Sequence, residues 1–214
     1  MGQAGIISGG VPPRTCLKPS SLSLIGIPVK FHRVSLDDFN SFDDNNLKEI
    51  KDFINMYITG ISDIRKYNCM PQGIFFYGSN GVGKTMLSSI ILKEAYRYRF
   101  VTRRITYSSY ISLYTSSWNT NRDGSGSNDD FRIYMSCDFL CLEELGKETD
   151  TKITKPVLEE LLRYREEHNK VTIICTNLAP DTLEGLYGAS IMSLIKGNTT
   201  LVKITGKDRR VYKD

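Results

Sequence analysis

The chain carries 214 residues with a formal net charge of +4, and its 40% hydrophobic and 24% charged residues strike an ordinary globular balance, which excludes a fibrous or wholly disordered protein. No apolar run approaches the roughly 20 residues that a bilayer span needs, and no secretory signal pattern opens the sequence. Five cysteines, an odd set without a C-x-x-C pair, point to buried free thiols in a reducing compartment, read here as the cytoplasm.

Residues 1–25 hold Gly9-Gly10, Pro12-Pro13 and a Ser-rich stretch with little periodic apolar content. They read as a flexible tail ahead of one domain at 26–214. The cluster Asp43-Asp44-Asn45-Asn46 offers N-caps to a helix whose apolar residues Leu47, Ile50, Ile54, Tyr57, Ile61 and Ile64 recur at three- and four-residue steps. Pro71 and Gly73 end it. Ile74-Phe75-Phe76-Tyr77 follows as a short continuous apolar run, the pattern of a strand buried on both faces. A glycine-bearing segment at 78–85 then leads into a helical pattern through Met86, Leu87, Ile90, Ile91 and Ala95.

The alternation repeats. Residues 103–107 read as a strand, Ser108 or Ser109 caps a helix reaching about Trp118, and 119–130 reads as a polar, mobile loop. Phe139-Leu140-Cys141-Leu142 is another buried strand, 157–167 a helix with Leu158, Leu161 and Leu162 inward, and 171–175 a further strand. Strands alternating with helices predict an α/β layer fold with a mostly parallel sheet and right-handed crossovers. From 93 to 104, Lys93, Arg97, Arg99, Arg103 and Arg104 stand against the single acid Glu94. That stretch is either a phosphate-facing patch or a solvated helix end followed by a strand edge.

Gly78-Ser79-Asn80-Gly81-Val82-Gly83-Lys84-Thr85 matches G-x-x-x-x-G-K-[ST] in full, after a buried strand and at the start of a helix. Glycines let successive backbone N–H groups converge on phosphate oxygens, and the helix aims its positive end at the same anion. Lys84 is assigned to the β and γ phosphates of a nucleotide, and the Thr85 hydroxyl to Mg2+. The strand at 139–142 ends in Glu143-Glu144, where open α/β sheets bind ligands. Glu143 is assigned to the metal, and Glu144 to orienting or deprotonating the attacking water. At the equivalent end of the next strand, Asn177 either hydrogen-bonds the γ-phosphate or that water, or is a turn residue.

The order of these motifs resembles the DnaC/DnaI helicase-loader and IstB-like branch of the AAA+ ATPases over about residues 26–212. Gly26-Ile27-Pro28 to Leu36-Asp37-Asp38-Phe39 resembles the leading segment of that family. Residues 78–85 resemble its Walker A motif, 139–148 (FLCLEELGKE) its Walker B strand, and 172–178 (TIICTNL) its sensor 1 strand. Gly206-Lys207-Asp208-Arg209-Arg210 matches its terminal G-x-D-x-R, which puts Arg210 in the nucleotide-contacting sensor 2 role. The resemblance implies a three-layer P-loop NTPase with a mostly parallel five-stranded sheet and little or no C-terminal helical lid. It also implies an ATPase that assembles as a homo-oligomer or hetero-assembly on single-stranded DNA and helps place a replicative helicase. In related loaders the region after the P-loop helix contacts single-stranded DNA, which makes Arg103, Arg104 and Tyr107 the candidates here.

Three departures qualify what carries over. Walker B acids in the family are usually aspartates, and Glu143 is one methylene longer. The segment that supplies an arginine finger appears as Tyr187-Gly188-Ala189-Ser190-Ile191-Met192-Ser193-Leu194-Ile195, with Ser190 and Leu194 at the arginine positions. Such a finger is worth about 10³ to 10⁵ in rate, so slow hydrolysis is expected unless Arg163, Arg165 or a partner compensates. The family's N-terminal helicase-binding domain is expected to be missing, with only a short tail ahead of the core, so partner contact through it is not carried over. Two rival readings follow: a nucleotide-bound protein that blocks a helicase or its loader, and an IstB-like transposition regulator.

Overall fold

The computed structural model describes residues 17–39, 44–67, 69–120, 130–149 and 152–209, with the side chains of residues 65, 66 and 118–120 left outside that description. Five strands, β1 (Gly73–Tyr77), β2 (Thr102–Thr106), β3 (Phe139–Glu143), β4 (Val171–Thr176) and β5 (Thr199–Lys203), form one sheet in the order β2-β3-β4-β1-β5. Every neighbouring pair is parallel. The central strands β3 and β4 are buried at every position, which is why they read as unbroken apolar runs rather than alternating ones.

Alternate side chains divide the core between two faces. Ile74, Phe76, Phe139, Cys141, Ile173 and Cys175 pack on one side with α1 (Pro19–Ile25), α2 (Asn45–Tyr67) and α3 (Lys84–Arg97). Phe75, Leu140, Leu142 and Ile174 pack on the other, against α4 (Tyr107–Thr120), α5 (Arg132–Ser136), α6 (Thr154–Glu167), α7 (Pro180–Tyr187) and α8 (Ala189–Asn198). The result is the three-layer α/β architecture with a five-stranded parallel sheet. β5, which no sequence pattern located, is an edge strand in which only Thr199 and Val202 are buried. Its polar Thr199 and Thr200 hide it from an apolar-run reading.

The expected capping cluster works through Asp44, whose Oδ1 accepts the N–H groups of Asn46 at 2.8 Å and Leu47 at 3.4 Å. The tail reading extends too far, because Pro19–Ile25 is helical. Pro19 is pre-set for a first helical turn. Leu22 and Ile25, one turn apart, are 1% and 2% exposed against the core, and that burial outweighs the turn-like composition. Residues 1–16, and residues 121–129 of the loop predicted at 119–130, lie outside the described residues, while 119–120 belong to α4. Among those described, no helix follows β5, and no helix is long and apolar enough to cross a membrane.

Candidate nucleotide site

Residues 78–83 join β1 to α3 and curl because glycines stand where other residues are strained. Gly83, at φ +114°, takes the N-cap position of α3, and no side chain caps that helix. At Gly81 an added Cβ would come within 1.7 Å of the Asp208 carboxylate, since the C-terminal segment crosses the loop and Arg209 donates its N–H to the Gly81 carbonyl at 3.1 Å. Val82 points the other way and is buried. Lys84 donates to the carbonyls of Gly78 at 2.7 Å and Ser79 at 2.6 Å. Its ammonium is thereby held inside the curl, where a phosphate can exchange for those contacts.

The β3 tip lies alongside. Glu143 accepts from the Thr85 hydroxyl at Oε2, 2.9 Å, and from the Ser88 hydroxyl at Oε1, 3.2 Å. Arg104 on the adjacent strand places Nε 3.3 Å from the same Oε1 and donates from a terminal nitrogen to the Gly26 carbonyl. Desolvation works against the Arg104 charge, yet the Glu143 carboxylate, together with Cys141 and Cys175, holds the guanidinium above its ordinary pKa. Burial, with Cys141 and Glu143 as neighbours, raises the Cys175 thiol well above its ordinary value.

Backbone strain separates the two acids. Glu144 sits at φ +61°, a conformation costing a non-glycine residue about 1 kcal/mol or more. That turn leaves Glu143 buried and swings Glu144 out to about half exposure, with Lys147 Nζ 3.0 Å from its carboxylate. From β4, Asn177 donates its amide N–H to Asn80 Oδ1 at 2.9 Å. Asn80, Gly81, Gly83, Lys84, Thr85, Glu143, Glu144 and Asn177 line one cleft of about 930 Å³, joined by Pro28, Phe31, Arg104, Lys147 and Arg209. These eight nucleotide-site residues read from sequence therefore line, from three strand tips, one cavity of ligand size.

No family model and no curated protein matches the sequence. Solved structures do. The DnaC helicase loader superposes with a TM-score of 0.65 at 20% identity, covering 83% of this chain and 100% of that one. DnaI gives 0.64 at 22% identity over 86% and 94%. The replication initiator DnaA, bound to AMPPCP and single-stranded DNA, gives 0.64 at 18% identity over 85% of this chain and 51% of that one. The fold is the one that these solved structures share.

Within this fold the expected DNA contacts separate. Tyr107 is not a strand residue but opens α4; it is fully buried and donates its hydroxyl to the Thr154 carbonyl, so no base can stack on it. Arg104 faces the cleft, and its partner is Glu143. Arg103, on the opposite sheet face, is half-buried and donates to the Thr102 carbonyl at 2.9 Å. The basic stretch does not form one patch either: Lys93 is buried on the carbonyls of Phe31, His32 and Val34, and Arg97 pairs with Glu94 at 2.7 Å.

The arginine question also resolves into different places. Arg165 is 1% exposed and donates to the carbonyls of Tyr134, Met135, Cys137 and Val171; it ties α5 to β4 and reaches no neighbouring molecule. Arg163 is exposed, paired with Glu159 at 2.6 Å and 3.5 Å from the Ser190 hydroxyl. Arg210 lies outside the described residues. Arg209, which the sequence passed over for Arg210, lines the cleft and stacks its guanidinium 4.3 Å from the Phe39 ring centroid. Arg104 was missed as a cleft residue, although strand alternation places it on the face opposite Arg103.

Proposed function

We propose that this chain is an ATP-binding AAA+ protein of helicase-loader type that acts in DNA replication in the cytoplasm. The observation that carries the reading is the 2.9 Å contact between Thr85 and Glu143, which joins the phosphate loop to the acidic strand tip beside Asn177. A buried carboxylate and a hydroxyl are hard oxygen donors of the kind Mg2+ takes, so Thr85 and Glu143 would hold it. Held there, it would supply positive charge against the nucleotide phosphates. Lys84 moves its ammonium from the loop carbonyls onto the β and γ phosphate oxygens. Glu144, free of the metal pair, orients a water and accepts its proton, while the Asn177 amide holds that water or the γ-phosphate in line. Arg209 adds positive charge at the same cleft, the role the resemblance gave to Arg210.

Similar structures named as a helicase loader and as an initiator bound to AMPPCP and single-stranded DNA support the replication setting and a replicative helicase as partner. Arg103 remains the DNA-contact candidate. Equilibrium titration with a fluorescent ATP analogue tests the core of the reading: tight, Mg2+-dependent binding is expected, weakened at least tenfold in Lys84→Ala. Unchanged affinity in that variant would remove the assignment. Anisotropy with labelled single strands across a salt series tests the DNA role, and preference for double strands instead would favour the IstB-like reading.

A second reading has one observation in its favour. Ser190 and Leu194 occupy the positions where the resemblance expects arginines, and Leu194 packs against the core. A chain that binds ATP without turning it over fits a protein that occupies a helicase or its loader. Turnover measured with the candidate helicase present separates the two: stimulation supports loading, and persistent inactivity supports blocking.

A further inference from the structure

Cys141 of β3 and Cys175 of β4 bring their sulfurs beside the Glu143 carboxylate. The three ligand atoms all lie within 4.8 Å of one another, and all three residues are buried. Strand geometry makes the grouping. Cys141 and Glu143 are two residues apart on β3 and so project from one sheet face, and Glu143 pairs with Cys175 across the ladder. Cys141 Sγ lies 3.6 Å from Glu143 Oε1, and the Ser88 hydroxyl 3.2 Å from the same oxygen. Access exists, because Cys175 and Glu143 both line the 930 Å³ cleft.

Nucleotide chemistry has no use for these sulfurs. Mg2+ takes oxygen ligands, whereas two thiolates and a carboxylate are a donor set for soft or borderline ions. We propose that Cys141, Cys175 and Glu143 form a site for a thiophilic divalent cation of the Zn2+ class, which enters through the cleft and competes with Mg·ATP for the Glu143 carboxylate. Zinc bonds of about 2.3 Å to sulfur and about 2.0 Å to oxygen put tetrahedral ligand atoms roughly 3.5–3.8 Å apart; Cys141 Sγ and Glu143 Oε1 already stand at 3.6 Å, and no pair has to close by more than about an ångström. Each thiol releases its proton to solvent as its sulfur ligates the ion. The Ser88 hydroxyl or a water takes the fourth position, and the Arg104 guanidinium withdraws from Oε1. If the two cysteines only fill space between strands, no ion binds there.

The test is a Co2+ titration of the reduced full-length chain, followed by absorption. A single equivalent is expected to produce tetrahedral d–d bands and a thiolate charge-transfer band, both removed by excess Zn2+. Cys141→Ser and Cys175→Ser each abolish the charge-transfer band, while Cys69→Ser, at an exposed thiol remote from the trio, preserves it. No such band at saturation, or a band that survives both inner substitutions, overturns the proposal. Thermal melting checks that the serine variants fold. If either does not, X-ray absorption on the zinc-loaded wild type decides: two sulfur neighbours support the site, and fewer overturn it. The metal readout is independent of the ATP reading, but the competition rests on it. An ATP analogue with Mg2+ is expected to shift the Co2+ titration to higher concentration. Simultaneous binding without a shift overturns the shared carboxylate while leaving nucleotide binding intact.

Discussion

Arg104 Nε stands 3.3 Å from Glu143 Oε1, with the two side chains 17% and 5% exposed. This pair ties the edge strand to the β3 tip and, through the Gly26 carbonyl, to the end of α1. Removing one member of a pair this buried leaves a charge without its partner, at a cost of about 3 kcal/mol. Arg104→Ala is therefore expected to lower stability by that order in urea unfolding, and Arg104→Lys to recover part of it. A loss below about 0.5 kcal/mol would place the pair among surface contacts that contribute little.

Tyr107 and Arg103 separate packing from DNA contact. Tyr107→Phe deletes the buried donor to the Thr154 carbonyl and is expected to cost about 1 kcal/mol in stability, with no change in single-strand affinity. Arg103→Ala is expected to reduce the salt dependence of that affinity by about one phosphate contact. Anisotropy across a salt series reads both. A drop in affinity in Tyr107→Phe alone would contradict the buried placement.

Glu143 and Glu144 are expected to fail differently. Glu144→Gln keeps the shape of the strained turn and removes the water's base, so turnover falls by about 10² to 10⁴ while analogue affinity stays within twofold. Glu143→Gln weakens the Mg2+ dependence of binding itself. Parallel binding and turnover assays distinguish them, and equal losses of affinity in both variants would contradict the division of roles.

Arg163 and Arg165 are two residues apart and are expected to act in unrelated ways. Arg163→Ala leaves folding and analogue binding intact and lowers turnover in the assembled state, by up to about 10³ if its guanidinium serves a neighbouring site in place of an arginine at Ser190. Arg165→Met strands the carbonyls of Tyr134, Met135, Cys137 and Val171 and is expected to destabilise by about 3 kcal/mol or more. Turnover against protein concentration, together with thermal melting, checks the pair. Unchanged turnover in Arg163→Ala would remove it as a compensating arginine.

The sequence by itself determined the elements whose signal is local. The apolar runs of β1, β3 and β4 were legible because both faces of those strands are buried, and α2 because its apolar residues recur at helical spacing behind Asp44. The phosphate loop was legible because its glycines, lysine and threonine act through backbone shape over eight consecutive positions. Signals diluted by exposure or by composition were not legible. β5 lies at a sheet edge with only two residues buried, and α1 is a Ser-rich helix held by two buried side chains.

Only the tertiary structure decided which face each residue serves. One strand position separates Arg103 from Arg104, yet the pleat sends them to opposite faces, and only one of those faces opens on the cleft. Tyr107 and Arg165 looked available for contact until the core closed over them. Cys141 and Cys175, 34 positions apart by number, became neighbours of Glu143 through a ladder register that no local pattern encodes. Spacing along a chain reports which residues can share an element, but the meeting of side chains from different elements depends on how the sheet is ordered and which layer covers it.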